Sequence, residues 1–313
     1  MAIKIKGMIP PIITPLKMDE SIDSEGFKSV IDFLVKGGVS GIFILGTASE
    51  FAYFTFSERI QIAEIVRDHL SSKIPLLMGI SDPSLNVSLR LIKKGLNIDV
   101  DGFVANIPQY FTLGSKEIKE SFTKFKEKCQ DKPLFAYEVS EIVPTTARLE
   151  PKMIVELANQ RIINGMKYSG VLWEDYAKII LEGIENKEEV SFFAGTEIIT
   201  RLIYENGIEF DGGIYSGLNV FPRLYSDTFH AIKNKKKEKI SNNMKLLFST
   251  GGIFGAMGSA GTPTIMKYML NKLGLPITTK VRSPLPNLNK RINKKIEKLF
   301  GLLSKNNYLD RYE

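Results

Sequence analysis

Short apolar runs bounded by turn residues recur along the whole chain, and each has the length of one buried strand. Their nearly continuous apolar character is typical of parallel strands that are covered on both faces. The intervals between them, roughly 20 to 35 residues, leave room for one crossover helix each. The eight predicted strands lie at residues 8–13, 41–45, 75–78, 102–105, 133–137, 163–167, 190–194 and 212–215.

Helical patterns fill several of these intervals. Apolar positions with helical spacing follow Ser24 and stop at Gly37-Gly38, and a second such segment begins at Ser57. The eightfold alternation of strand and helix predicts an α/β protein, with a closed TIM (β/α)8 barrel favoured over an open doubly wound sheet.

The end of the chain has a different pattern. Beyond about residue 237 no strand pattern remains, and residues 240–254, 263–273 and 288–303 have helical periodicity. We therefore predict a barrel catalytic domain over residues 1–237 and a C-terminal helical extension, packed on the barrel, over residues 238–313.

Composition narrows the class of protein. Hydrophobic residues make up 43% of the chain and charged residues 25%, as in ordinary globular proteins, and no apolar run has the length of a membrane span. The first residues lack the features of a signal peptide, which predicts a cytoplasmic protein without a membrane partner. The net charge of +7 includes a basic run at residues 233–239, but this run has no interleaved aromatic residues, so we expect no nucleic-acid partner.

Two counts exclude further chemistry. Cys129 is the only cysteine, so no disulfide forms within the chain. His69 and His230 are the only histidines and lie far apart, which argues against a histidine-rich metal site and against a Ser-His-Asp triad.

In a TIM barrel the active site lies where the strands end, and Lys167 ends the sixth predicted strand. A lysine at such a position usually keeps its ammonium group in solvent. The functional alternative is an amine that forms an imine with a carbonyl substrate; such an amine must be neutral, and desolvation favours the neutral form.

Two further strand ends carry candidate groups. Tyr137 ends the fifth strand, beside Lys167, where its phenol could transfer protons; the alternative is a packed aromatic ring with its hydroxyl in solvent. Thr47 and Ala48 follow Gly46 at a turn after the second strand, where converging N–H groups could bind a carboxylate, although such a turn alone is a weak signal.

Six motifs, in order and each at a strand end, resemble the dihydrodipicolinate synthase and N-acetylneuraminate lyase family, which also contains 2-keto-3-deoxygluconate aldolases. The resemblance extends from Ile9 to about Leu303. Its motifs are Ile13-Thr14-Pro15, Gly46-Thr47-Ala48-Ser49-Glu50 for the family's Gly-Thr-Thr-Gly-Glu, Pro108-Gln109-Tyr110 for Pro-Tyr-Tyr, Tyr137, Gly165-Met166-Lys167, and Asp211-Gly212-Gly213-Ile214 with Asn219 and Pro222.

The resemblance implies a class I pyruvate-dependent aldolase in which the catalytic residues are Lys167, Tyr137 and Thr47. Lys167 forms the pyruvate imine, Tyr137 transfers protons, and Thr47 with Ala48 holds the pyruvate carboxylate. No metal and no cofactor besides the covalent imine is implied. Tyr110 matches a tyrosine that in some relatives reaches a neighbouring subunit, so a homodimer or homotetramer is expected. The implied substrate contacts are Thr47, Ala48, Tyr110, Glu138, Val139, Ser169, Gly195 and Ile214.

Departures from the family pattern narrow the substrate. Dihydrodipicolinate synthases carry an arginine shortly after the strand 5 tyrosine, where this chain has the acidic stretch 138–142. Carboxylates there repel a charged aldehyde and accept hydrogen bonds from sugar hydroxyls. The stretch 111–113 also lacks the arginine found in phosphate-tolerant aldolases. The predicted reaction is cleavage of unphosphorylated 2-keto-3-deoxygluconate to pyruvate and glyceraldehyde.

Several alternatives stay open from the sequence. Dihydrodipicolinate synthase and N-acetylneuraminate lyase activities are the nearest rivals within the class. Outside it, the rival is a catalytically silent barrel that acts as a sugar-acid sensor or as an assembly protein, and Lys167 argues against this alternative.

Overall fold

The computed structural model of the protein describes residues 4–70, 74–170, 176, 179–180 and 182–312. The strands are β1 Gly7–Met8, β2 Ile42–Ile44, β3 Leu76–Gly79, β4 Gly102–Ala105, β5 Leu134–Glu138, β6 Gly165–Tyr168, β7 Ser191–Ala194 and β8 Gly212–Gly213. The helices with complete bounds are α1 Ser24–Lys36, α2 Phe56–Leu70, α3 Leu85–Asn97, α4 Ser115–Cys129, α5 Pro151–Asn159, α6 Glu197–Glu205, α7 Pro222–Lys233, α8 Lys237–Phe254, α9 Gly258–Lys272 and α10 Lys290–Lys305.

The described residues form two compact units. The first contains residues 4–6, 75–170, 176, 179–180 and 182–213, and the second contains residues 7–70, 74 and 214–312. Within the described part of the chain, no helix combines the length and the apolar character that a membrane span requires.

The first unit is built on a parallel sheet in which β3 to β8 pair in chain order. All positions of these strands are buried, as the apolar runs predict for strands covered on both faces. Phe135 of β5 and Phe193 of β7 meet edge to face with their ring centroids 5.9 Å apart. The core of this unit therefore extends across three adjacent strands.

The second unit contains β1, β2 and the helices at both ends of the chain. Helix α1 begins after Asp23, whose carboxylate accepts a hydrogen bond of 3.0 Å from the Gly26 N–H, so the cap is Asp23 and not the adjacent Ser24. The predicted first strand, residues 8–13, is much shorter in the structure. Because Pro10 and Pro11 have no N–H group, the ladder is reduced to single contacts such as the Ile12 N–H to Phe43 carbonyl bond of 2.9 Å.

Cys129 ends α4 and is buried as a free thiol. Burial raises its pKa to about 12, so the side chain stays protonated at neutral pH.

Candidate active site

Lys167 and Tyr137 are brought together by strand register. They lie directly opposite each other on β6 and β5, and both side chains are buried, with Lys167 only 5% exposed. The Lys167 Nζ lies 4.0 Å from the centroid of the Tyr137 ring. Register partners on adjacent parallel strands project to the same face, so the amine and the phenol share one environment.

Gly195, directly after β7, occupies a position where only glycine fits. The Gly195 N–H donates to the Tyr168 carbonyl over 2.7 Å, directly after β7. A Cβ at Gly195 would lie 2.0 Å from the Ser169 Oγ and 2.7 Å from the Tyr168 carbonyl oxygen. Ser169, itself buried, therefore packs against Gly195 as closely as the backbone allows.

Glu138 does not present its carboxylate as the sequence interpretation supposed. The side chain is buried, and Oε1 accepts from the N–H (2.7 Å) and the hydroxyl (2.5 Å) of Ser140. Oε2 accepts from the Leu149 N–H. Burial raises the pKa of Glu138, against the opposing effect of the Ser140 and Leu149 hydrogen bonds. Both oxygens are thus engaged by the segment 139–149, which Glu138 holds in place.

Two tyrosines fix the far end of the same segment. The Tyr176 hydroxyl donates to the Leu149 carbonyl, and the Tyr176 ring stacks on Tyr168 with centroids 4.3 Å apart. Burial raises the pKa of Tyr168 and of Tyr176, so both remain neutral phenols. The apolar pattern gave no reason to select either residue. Val139, a predicted substrate contact, is buried at the start of the segment.

Segment 139–149 also pairs with the loop after β4. Antiparallel hydrogen bonds of 2.8 Å link the Gln109 N–H to the Thr145 carbonyl and the Ala147 N–H to the Ile107 carbonyl. Next to this pairing, Tyr110 is 90% exposed and its ring meets that of Phe111 edge to face at 5.0 Å.

Asn106 is a polar group that the sequence interpretation missed. It follows Ala105, whose register partner Ala136 precedes Tyr137, so Asn106 and Tyr137 occupy equivalent positions at neighbouring strand ends. The residue is 3% exposed, and its Oδ1 has no hydrogen-bond partner among the described residues. Its signal in the sequence was a lone amide at the end of an apolar run.

Thr47 and Ala48 lie in the second unit, in a single turn of 3-10 helix with Ser49. The Ser49 hydroxyl donates to the Ile12 carbonyl over 2.5 Å and accepts from the Gly46 N–H over 3.2 Å. The first N–H groups of such a turn, those of Thr47 and Ala48, have no carbonyl of the turn to bond. Ser49 stands where the resembled family usually has glycine, and its hydroxyl links the turn to the first strand region.

Ile214 also belongs to the second unit and is buried directly after β8. Nearby, the fully buried Asn219 accepts from the Ile13 N–H over 3.0 Å and donates to the Pro11 carbonyl over 2.9 Å. The proline-rich first strand, which cannot form a full ladder, is therefore held by a side-chain amide.

Comparison with known proteins assigns the family. Residues 4–301 match the model of the dihydrodipicolinate synthetase family, so the chain belongs to this family of lyases and aldolases. An uncharacterized DapA-like lyase of Pyrococcus horikoshii is 29% identical, with 94% of this chain and 99% of the relative covered. A probable 2-dehydro-3-deoxy-D-pentonate aldolase of Escherichia coli is 24% identical, with 95% and 96% covered.

A solved structure gives the fold. YagE, a prophage protein of the dihydrodipicolinic acid synthase family from E. coli K12, solved in complex with pyruvate, superposes with a TM-score of 0.85. The match covers 97% of this chain and 99% of YagE at 21% identity. The predicted TIM barrel with a C-terminal helical region is thereby confirmed, whereas the domain boundary at residue 237 stays a prediction.

Proposed function

We propose that the protein is a class I aldolase that reversibly cleaves unphosphorylated 2-keto-3-deoxygluconate to pyruvate and glyceraldehyde. One observation carries the proposal: a buried lysine, Lys167, in contact with the ring of Tyr137 at the ends of adjacent strands. Enzymes of the family use a pyruvate Schiff base without a metal cofactor, and the buried amine is suited to that chemistry.

In the proposed reaction, Lys167 Nζ attacks the C2 carbonyl of the keto acid, and water leaves as the imine forms. The protonated imine accepts the electron pair of the C3–C4 bond as this bond breaks, so an enamine forms instead of a bare carbanion. The C4 hydroxyl loses its proton and becomes the aldehyde. The enamine is then protonated at C3, and hydrolysis releases pyruvate and the free lysine. Tyr137 is assigned the transfer of these protons.

The carboxylate of the keto acid is assigned to Thr47 and Ala48. Their N–H groups begin a 3-10 turn, where unpaired donors favour an anion. The remaining proposed substrate contacts are Tyr110, Val139, Ser169, Gly195 and Ile214. The oxygens of Glu138 already accept three hydrogen bonds from Ser140 and Leu149. Glu138 is therefore proposed to affect substrate binding indirectly, by holding segment 139–149 in place.

The aldehyde partner is proposed to be neutral and hydroxylated. The stretch 138–142 has no arginine to pair with a second carboxylate, and the guanidinium of Arg148 lies 3.1 Å from Glu150. The buried amide of Asn106 and the hydroxyl of Ser169 are uncharged groups of the kind that bind hydroxyls. The probable pentonate aldolase of E. coli is by its name also an enzyme of 2-keto-3-deoxy sugar acids.

Borohydride reduction in the presence of pyruvate tests the imine. We expect one reduced pyruvyl adduct per chain, located at Lys167 by peptide mass mapping, and none in Lys167→Arg, which keeps the positive charge. An unmodified Lys167 would exclude the aldolase mechanism and leave the sensor alternative.

Substrate assays separate the rivals. We expect pyruvate release from 2-keto-3-deoxygluconate to exceed that from N-acetylneuraminate, and no condensation of pyruvate with aspartate semialdehyde. A preference for aspartate semialdehyde would identify a dihydrodipicolinate synthase. Pyruvate release from the gluconate- and galactonate-derived acids, measured side by side, gives the stereochemical preference.

A further inference from the structure

A fully buried ion pair lies next to the turn that contains Thr47 and Ala48. Lys267, on α9, and Glu50 have side chains that are 0% exposed, and their Nζ and Oε1 atoms are 2.5 Å apart. The Lys267 Nζ also donates to the Lys280 carbonyl over 2.7 Å. Burial lowers the pKa of Lys267, and the charge of Glu50 opposes this shift.

Glu50 is held through both carboxylate oxygens. Oε1 forms the ion pair with Lys267, and Oε2 accepts a hydrogen bond of 2.7 Å from the backbone N–H of Arg282. The backbone of Glu50 is left-handed, with φ at 63°, directly after the 3-10 turn of Thr47–Ser49. Non-glycine residues adopt this conformation uncommonly. The carboxylate contacts hold the Glu50 side chain directly after the turn.

The other side of the same turn is fixed independently. The Thr14 hydroxyl donates to the Ser49 carbonyl over 2.9 Å, and the Glu50 N–H bonds to the Thr47 carbonyl over 3.2 Å. The turn is therefore attached to the first strand region through Ser49, and to α9 and the backbone of Arg282 through Glu50. Only the second attachment involves charged groups without contact with solvent.

A buried ion pair is a poor device for stability alone, because desolvating two charges offsets most of their attraction and well-packed apolar residues often serve as well. Its directional contacts instead fix an orientation. We propose that Lys267 and Glu50 are positioning residues which set the N–H groups of Thr47 and Ala48 for the carboxylate of the keto acid. This inference rests on the proposed function.

The test is borohydride trapping at graded pyruvate concentrations, with kcat measured at saturating keto acid. Lys267→Met and Glu50→Gln should each raise the half-saturating pyruvate concentration about tenfold or more, since small misplacements of binding groups are costly, while kcat changes less than about threefold. Lys272→Met is the matched control: it lies on the same helix in an exposed pair with Glu297, and its half-saturation should equal that of the wild type.

The double variant Lys267→Met with Glu50→Gln separates positioning from stability. The double variant removes both buried charges, so its melting temperature should recover toward that of the wild type. Its half-saturating pyruvate concentration should nevertheless stay raised. If the melting temperature and the half-saturating pyruvate concentration both returned to wild-type values in the double variant, the inference would be wrong. It would also be wrong if the folded single variants had the half-saturating concentration of the wild type. If Lys267→Met does not fold, Glu50→Gln, which keeps an acceptor for the Arg282 N–H, decides the result. Absence of trapping in the wild type would instead overturn the proposed function itself.

Discussion

Replacement of Glu138 tests how segment 139–149 is held against the end of β5. In Glu138→Ala the N–H groups of Ser140 and Leu149 lose their acceptors. Because a buried donor left unsatisfied costs about 1–3 kcal/mol, and the Ser140 bond is only partly buried, the free energy of unfolding should fall by about 1–4 kcal/mol. Glu138→Gln keeps one carbonyl oxygen and should lose about half as much.

These energies correspond to measurable melting shifts. With an unfolding entropy of about 2.1 cal/mol/K per residue, 1 kcal/mol displaces the Tm of a 313-residue chain by about 1.5 °C. Calorimetry should therefore find Glu138→Ala about 1.5–6 °C below the wild type. The control is Glu150→Gln, which breaks only the partly exposed pair with Arg148 and should shift the Tm by about 1 °C or less.

The pH dependence has a definite sign. Burial raises the pKa of Glu138 in the folded state, so the folded protein binds this proton more tightly than the unfolded chain does. The tighter binding of this proton therefore stabilises the folded protein fully below the unfolded pKa of about 4.3. This stabilisation is lost as the pH rises through the folded pKa of Glu138. The Tm difference between wild type and Glu138→Gln should narrow as the pH increases above about 4.3. A difference that widens instead, or a Glu138→Ala protein as stable as the wild type, would refute the reasoning.

Two further predictions concern the strand ends. Tyr137→Phe keeps the ring over Lys167 but removes the hydroxyl, so kcat should fall by about 10²–10⁴-fold while borohydride still traps pyruvate; a rate close to the wild type would contradict the proton-transfer role. Gly195→Ala places a Cβ 2.7 Å from the Tyr168 carbonyl oxygen, and overpacking of this kind should lower the free energy of unfolding by about 1–3 kcal/mol in denaturant titration. Its control, Gly252→Ala on α8, meets open space and should stabilise by about 0.5–1 kcal/mol; equal effects of the two alanines would exclude the packing argument.

The strands were predictable because their signal is local. An apolar run between turn residues reports burial on both faces, and β3 to β7 each overlap the predicted run. The first strand shows the limit of that signal, since apolar residues at Pro10 and Pro11 satisfy the pattern but cannot donate to a ladder. The contact between Lys167 and Tyr137 was predictable for the same reason, because the ends of consecutive parallel strands meet at one edge.

The charged contacts were not predictable. A carboxylate at a strand end has the same sequence pattern whether it faces a ligand or its own loop. The donors to Glu138 are determined only by the path of residues 139–149. Lys267 has apolar neighbours on both sides in the sequence, which was a usable sign of burial. Its partner Glu50 is distant in the sequence, and local periodicity carries no information about such pairs.

That distance has a consequence for how the protein is made. Glu50 and Arg282, which share a hydrogen bond in the second unit, are separated by 232 residues. At a synthesis rate of about 5–20 residues per second, the carboxylate leaves the ribosome roughly 10–50 s before its partners exist. During that interval the first unit, which is nearly continuous in the sequence, can acquire its strands in order. The turn of Thr47–Ser49 acquires these attachments only after α9 and Arg282 have been synthesised, so translation completes the proposed carboxylate site late in the chain.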